Sequence, residues 1–196
     1  MSLMTTFARW LMKRVGWRIA GALPDIPRMI VIVAPHTSNW DLPVGLLCAF
    51  AVDVFRGWQF GFMMKESVFR WPIGGLMRRL GGIPIDRAAA HAAVDQMTRT
   101  IRSHDRFLLV ITPEGTRKRT AHWKSGFYHM AVRAGVPVVP TALDYGRREC
   151  KIGPAMEMSG DVERDLEGFR RFFGGVQGKR PERAGEITFP PRRARA

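Results

Sequence analysis

Cysteine is scarce in this chain, which has only Cys48 and Cys150 among its 196 residues. Two cysteines are too few for a disulfide framework, and their spacing matches neither a zinc site nor a Cys-x-x-Cys redox motif. The sequence therefore favours a reducing compartment, and we expect a cytoplasmic protein that holds no metal.

Long apolar runs are also missing. No stretch approaches the ~20 residues needed to span a bilayer, and no leader with a cleavage site begins the sequence. We therefore expect a protein that meets a membrane, if at all, at its surface.

Several nucleotide and hydrolase motifs are absent from the sequence. There is no P-loop and no Gly-x-Gly-x-x-Gly, which disfavours nucleotide binding. There is no Gly-x-Ser-x-Gly elbow either, which disfavours a serine hydrolase of the α/β type.

Acidic residues are few relative to basic ones, with 17 Asp and Glu against 31 Lys and Arg and a formal net charge of +14. Such a surface favours phosphate-bearing partners: nucleic acid, an anionic membrane or phosphorylated small molecules. The basic residues are scattered and form no known nucleic-acid-binding motif, so we expect no nucleic acid among the partners, although a basic nucleic-acid-binding protein stays an alternative.

Strand-like and helix-like patterns alternate along most of the chain, which predicts an α/β fold with a mainly parallel central sheet flanked by helices on both faces. We expect one domain over residues 1–178. Its first part, residues 1–22, is predicted to form an amphipathic helix that either lies in a membrane interface or packs on the core. The basic stretch 179–196 has little apolar content and is predicted to be a mobile tail.

A predicted buried strand ends at Pro35 and is followed by two titratable residues, His36 and Asp41, at the start of a predicted helix. Deep inside one helix, a separation of five residues would place them about 140° apart. Across a turn they can meet, and an imidazole oriented by a carboxylate is a general base. The alternative is a capping box formed by Ser38 and Asp41, in which the carboxylate serves only the backbone.

Three further strand ends carry distinctive residues, and sites in open α/β sheets collect at the carboxyl ends of strands. Lys65 ends one strand, and Asp86 and Arg87 follow another. The fourth stretch, residues 112–117, follows a strongly apolar run and contains Glu114, Gly115, Thr116 and Arg117. Gly115 allows close approach of a ligand, and the fork of Arg117 suits a phosphate. For Glu114 we predict a hydrogen bond to a polyol hydroxyl or an ion pair with Arg117.

Taken together, these stretches resemble the glycerolphosphate acyltransferase superfamily, the lysophosphatidic acid acyltransferase type in particular. Four blocks of that family occur here in order. They are His36 to Asp41; Gly81 to Arg87, with Lys65 upstream; Thr112 to Arg117; and Val136 to Pro140. The resemblance covers residues 31 to 144 approximately.

The resemblance implies a reaction and its participants. A fatty acyl group would pass from acyl-CoA or acyl carrier protein to the hydroxyl of a lysophosphatidic acid or related lysolipid, as in phospholipid biosynthesis. His36 would be the general base and Asp41 its partner. The acceptor's polar head would be bound by Lys65, Arg87, Glu114, Gly115, Thr116 and Arg117.

Neither a cofactor nor a metal is implied, because the thioester is already activated. We expect a peripheral location on the inner face of the membrane, on an anionic surface. A thioesterase that uses His36 to activate water is the alternative within the same chemistry.

Overall fold

The computed structural model describes residues 2–85 and 90–191, and of residues 90 and 91 it describes the backbone alone. The strands in this part of the chain are β1 (Arg18–Ala20), β2 (Arg28–Ala34), β3 (Gln59–Lys65), β4 (Gly82–Ile85), β5 (Phe107–Ile111), β6 (Val138–Asp144) and β7 (Glu149–Ile152). The helices are α1 (Leu3–Arg14), α2 (Asp41–Ala51), α3 (Val54–Gly57), α4 (Gly74–Arg79), α5 (Ala90–Ser103), α6 (Gly126–Ala134) and α7 (Val162–Phe173), with 3-10 turns at Glu66–Phe69 and Pro181–Arg183.

All seven strands belong to one sheet with the order β1-β7-β6-β2-β5-β3-β4. Every neighbouring pair is parallel except β6 and β7, which are antiparallel. The prediction of an α/β fold with a mainly parallel sheet is confirmed. The central position of β2 explains its almost uninterrupted apolar sequence, because both of its faces are covered.

The helices form two layers. On one face of the sheet, α5, α6 and α7 cover a core that includes Ile30, Ile32 and Leu109. On the other face, α1 and α2 cover Met29, Val31 and Leu108, among others. We call these the α6 face and the α2 face. Successive residues of β2 point alternately to the two layers, as the period of a strand requires.

The N-terminal helix is shorter than the predicted segment 1–22. It ends at Arg14, because Gly16 adopts a left-handed conformation with φ 74° and residues 18–20 then join the sheet as β1. Its buried residues are Thr5, Ala8 and Met12. Several bulkier apolar side chains of the helix and of the residue that follows it are exposed: Leu3, Met4, Phe7, Trp10 and Val15.

The helix predicted to start near Asp41 ends at Ala51 and is followed by the short helix α3. Asp53 has φ 60°, a left-handed conformation that ends α2 before α3 begins. Its carboxylate accepts a hydrogen bond of 2.8 Å from the Thr5 hydroxyl. The break between the two helices therefore also fastens α1 to the domain. No helix in the described ranges is long and apolar enough to cross a membrane.

Residues 179–191, part of the stretch predicted to be a mobile tail, make contacts with the domain. The backbone of this segment is paired with the domain, since the backbone N–H of Trp123 donates to the Thr188 carbonyl at 2.8 Å. The ring of Phe189 lies between those of Phe127 and Tyr128, with centroid distances of 5.9 and 5.7 Å. The remaining basic residues of the expected tail, Arg192, Arg193 and Arg195, lie outside the described residues.

Phe189→Ala tests this packing. The substitution removes a partly buried ring from the edge of the aromatic core, so we expect the free energy of unfolding to fall by about 1–3 kcal/mol. Urea denaturation followed by circular dichroism measures it. Val132→Ala, at an exposed position of α6, is the control and should change stability by less than about 0.5 kcal/mol. Equal stability of Phe189→Ala and the wild type would contradict the packed segment.

Candidate active site

The predicted site residues that the structure describes lie at one edge of the sheet, where parallel strands end together. The loop after β2 carries His36, β3 ends at Lys65, and the loop after β5 carries residues 112–117. The strand β5 pairs with both β2 and β3, so these three ends are neighbours. This edge is the place where open α/β sheets bind ligands.

His36 and Asp41 meet as predicted. The Nδ1 atom of His36 lies 3.0 Å from Oδ2 of Asp41. The carboxylate is buried, whereas the imidazole keeps 20% of its side-chain surface exposed. A ring nitrogen that donates to a carboxylate fixes the tautomer, and the second ring nitrogen, Nε2, is then the proton acceptor.

Asp41 also binds the backbone, but the capping box is not formed as predicted: α2 has Trp40 as its N-cap with no side-chain cap hydrogen bond, and the carboxylate pairs with His36 as well. Its Oδ2 atom accepts hydrogen bonds from the N–H groups of Thr37 at 2.8 Å and Ser38 at 2.9 Å. Both donors belong to the turn that carries His36. One carboxylate oxygen therefore shapes the turn and orients the imidazole at the same time.

Tyr145 completes the surroundings of Asp41, and the sequence reasoning missed it. The Tyr145 hydroxyl donates to Oδ1 of Asp41 at 2.9 Å. Tyr145 directly follows β6, which lies beside β2 and runs parallel to it. Its position at the carboxyl end of a strand neighbouring the His-bearing one was the available signal.

These contacts hold Asp41 ionised. Burial alone would raise the pKa of the carboxyl, but the hydrogen bonds from His36, Ser38 and Tyr145 outweigh burial and lower the pKa below its ordinary value. The phenol of Tyr145 responds in the opposite sense, because burial and the neighbouring carboxylate raise its pKa. The pair therefore consists of an ionised carboxylate and a neutral phenol.

Glu114 does not face the cavity opening, so the prediction that it binds a substrate hydroxyl is not supported by its position. The residue is 2% exposed, and its Oε2 atom accepts the backbone N–H of His36 at 2.6 Å. The predicted ion pair with Arg117 is also absent among the described contacts. Burial raises the pKa of this carboxyl to about 7, and the charge of Asp41 adds to the increase. Glu114 thus holds the backbone of the His36 turn from the side of β5.

Four of the other predicted binding residues lie at the opening of a cavity. Lys65, Gly115, Thr116 and Arg117 all line it, together with His36 and Asp41. Gly115 has φ 65°, a left-handed conformation that a side chain would strain, so the sharp turn after β5 favours glycine. Arg87 lies outside the described residues.

Below this opening, the cavity extends between α2 and the sheet and has a volume of about 680 Å³. Its walls are mainly apolar and include Val33, Leu46, Phe62, Val110 and Leu143. Volumes of this order accommodate small-molecule ligands. The site therefore consists of a polar opening with a histidine, above an apolar chamber.

The segment after α7 also reaches the site. The Gln177 carbonyl accepts the N–H of Tyr145 at 2.8 Å, and the Thr37 hydroxyl accepts the N–H of Arg180 at 3.2 Å. At Gly178 a Cβ atom would lie 2.7 Å from the Thr37 hydroxyl oxygen. A backbone hydrogen bond from Gly185 reaches Glu114. We call residues 177–185 the closing segment, because it contacts the loops after β2, β5 and β6.

The fold and the site define an α/β enzyme domain with a histidine-carboxylate pair at the entrance of an apolar cavity. A model of the Acyltransferase family matches residues 23–144, well over half of the chain. The chain belongs to the acyltransferase family, so the resemblance seen in its four motifs is confirmed.

Individual relatives carry one common name. The chain is 27% identical over 190 residues to the 1-acyl-sn-glycerol-3-phosphate acyltransferase of Haemophilus influenzae, with 83% of this chain and 76% of that protein covered. It is 34% identical over 126 residues to the chloroplastic enzyme BAT2 of Brassica napus, with 62% of this chain but 34% of that protein covered. The predicted class of enzyme, an O-acyltransferase, agrees with these names.

Glu114→Gln tests the buried carboxyl. Because the folded-state pKa of about 7 exceeds the ordinary value of 4.5, the folded protein binds more protons than the unfolded chain between these values. The contribution of Glu114 to stability is thus complete below about pH 4.5 and is lost by about pH 7, a change of about 3 kcal/mol. We expect the wild type to lose stability relative to Glu114→Gln over this interval, measured by urea denaturation at several pH values. A constant difference between the two proteins would contradict the burial of a titrating carboxyl.

Proposed function

We propose that the protein transfers a fatty acyl group from acyl-CoA or acyl carrier protein to the hydroxyl of a lysophosphatidic acid or a related lysolipid. The family membership supports acyl transfer, and the names of the relatives support the acceptor. The proposal rests on the geometry of the His36 imidazole. Its Nδ1 is hydrogen-bonded to Asp41, so its Nε2 can accept a proton at the entrance of the apolar cavity.

The steps follow from this geometry. His36 Nε2 accepts the proton of the acceptor hydroxyl while the oxygen attacks the thioester carbonyl carbon. The resulting imidazolium is stabilised by Asp41, whose depressed pKa keeps it ionised. When the tetrahedral intermediate collapses, the carbon-sulfur bond breaks and the thiol sulfur takes the proton from Nε2. The ester is formed, the free thiol leaves and His36 returns to its neutral state.

The cavity suits the acyl chain, and its opening suits the polar head of the acceptor. Burying methylene groups against walls such as Phe62 and Val110 contributes about 0.8 kcal/mol for each group. At the opening, Lys65 and Arg117 supply positive charge for a phosphate, and Thr116 supplies a hydroxyl. Arg87 is proposed as a further phosphate ligand on the family resemblance alone. No cofactor or metal takes part in this scheme, since the thioester is already activated.

The proposal includes a location on the inner face of the membrane, at an anionic lipid surface. The side chains of Phe7 and Trp10 stack at 5.7 Å on the exposed face of α1, and both are more than half exposed. Basic residues, Lys13 and Arg14, end the same helix. An aromatic face with a basic end is typical of a helix that lies in a lipid interface.

His36→Ala is the decisive variant. We expect a fall in acyl transfer of at least ~100-fold, within the range for a positioned general base. Release of free thiol from palmitoyl-CoA, with and without lysophosphatidic acid, measures the reaction. The expected result is release by the wild type that needs both the acceptor and His36.

Other outcomes would favour a different function. Thiol release without the acceptor indicates a thioesterase in which His36 activates water. Unchanged release in His36→Ala contradicts the role of the histidine. Absence of acyl transfer together with steeply salt-dependent DNA binding would favour the nucleic-acid-binding alternative.

Arg117→Lys tests the phosphate contact. Lysine keeps the positive charge but loses the bidentate fork, so we expect a several-fold higher KM for the lysophosphatidic acid and a smaller change in kcat. Lys118→Arg, at the neighbouring exposed position, is a matched control that should leave KM unchanged. An unchanged KM in Arg117→Lys would remove this residue from the acceptor site.

A further inference from the structure

A second group of exposed apolar side chains lies outside α1, in the connection between β3 and β4. Trp71 is 94% exposed, and Ile73 and Leu76 are 51% and 55% exposed. We call residues 70–79 the β3–β4 apron. It follows the 3-10 turn at Glu66–Phe69, of which Ser67 and Val68 line the cavity.

The apron lies on the α2 face of the sheet, like α1. In β4, Gly82 pairs with Phe62, which lines the cavity beneath α2. A Cβ atom at Gly82 would meet the Phe69 ring at 3.0 Å and the Met77 carbonyl at 2.7 Å, so this segment covers Gly82 on that face. The neighbouring residue Ile83 packs with the core of the α6 face.

Exposed apolar residues are therefore distributed very unequally between the two layers. In the described part of the chain, the exposed large apolar side chains lie on α1 and at its end, on α3, at Trp40 beside the site and on the apron. On the α6 face, the described residues include only Val132 of this kind. An unequal distribution of this kind marks an interaction surface.

The charge of the apron identifies the kind of partner. It carries Arg70, Arg78 and Arg79, all exposed, and no acidic residue. Trp71, like Leu3 on α1, projects almost completely into solvent. A protein partner would need a fitted pocket for each such side chain, whereas a fluid bilayer accommodates them without one. Tryptophan beside arginine is the composition of the lipid interface.

We propose that the β3–β4 apron is a second bilayer contact, which inserts Trp71, Ile73 and Leu76 among anionic lipids while α1 inserts separately. When α1 and the apron are both inserted, the α2 layer faces the membrane. The cavity opening near Lys65 and Ser67 then lies at the level of the lipid head groups. A lysolipid then enters the site from the bilayer. This proposal extends the membrane contact of α1, and no step of the contact itself depends on acyl transfer.

Sedimentation with vesicles, in the absence of any substrate, tests the contact. The double variant Trp71→Ser/Leu76→Ser is compared with Val132→Ser, which removes an exposed apolar side chain from the opposite face. On vesicles of phosphatidylcholine with phosphatidylglycerol, we expect the partition coefficient of the double variant to fall about tenfold or more. The control should stay within about twofold of the wild type, and thermal unfolding should be unchanged in both proteins. Equal partition of the double variant and the wild type would overturn the proposal.

Hydrogen exchange on the wild type gives a second, independent readout. Addition of the same vesicles should slow amide exchange within residues 70–79, and an unchanged rate there would contradict insertion. If the double variant instead loses binding to acyl carrier protein and keeps its vesicle partition, the apron is a protein-docking surface and the bilayer assignment is wrong. Failure of acyl transfer in the thiol assay, with vesicle binding intact, would reject the enzymatic proposal and leave this one standing.

Discussion

The hydrogen bonding of the Asp41 carboxylate is the constraint on which the rest of the site depends. A buried carboxylate is tolerated only when its oxygens are paired, and Asp41 is paired with four donors from three directions: His36, two backbone N–H groups of the same turn, and Tyr145. Satisfying this one charge fixes the turn after β2, the start of α2 and the end of β6 relative to one another. The orientation of the imidazole is a consequence of that arrangement.

Two buried carboxyls flank the same turn, and their pKa values shift in opposite directions. Asp41 receives enough donors to stay ionised, whereas Glu114 receives two backbone N–H groups and its pKa is raised to about 7. The second charge is disfavoured partly because the first is present. Glu114 can thus fasten the backbone of His36 without placing a second full negative charge beside the imidazole. Burial, the number of donors and the charge of Asp41 together separate the two roles.

Much of the fold and half of the site were readable from the sequence, and the failures share a physical cause. Local signals were sufficient for the strands and for the contact between His36 and Asp41, because the turn itself brings the two together. Tyr145 was missed since its contact joins residues 104 positions apart. The burial of Glu114 was not foreseen because the sequence does not show which side chain of an irregular loop is buried. The segment 179–191 was expected to be mobile because of its composition. It contacts the domain through backbone hydrogen bonds and the ring of Phe189, and composition alone does not show such contacts.

The closing segment has a consequence for synthesis of the protein. The four sequence motifs end by about residue 144, and the family match ends there as well. The turn bearing His36, the end of β6 and the loop with Glu114 are nevertheless all held by residues 177–185. A growing chain on the ribosome can pair the central strands and bury most of its core while the entrance to the cavity is still unsupported. The entrance to the cavity is therefore completed only when residues 177–185 have been synthesised and have packed against these three loops.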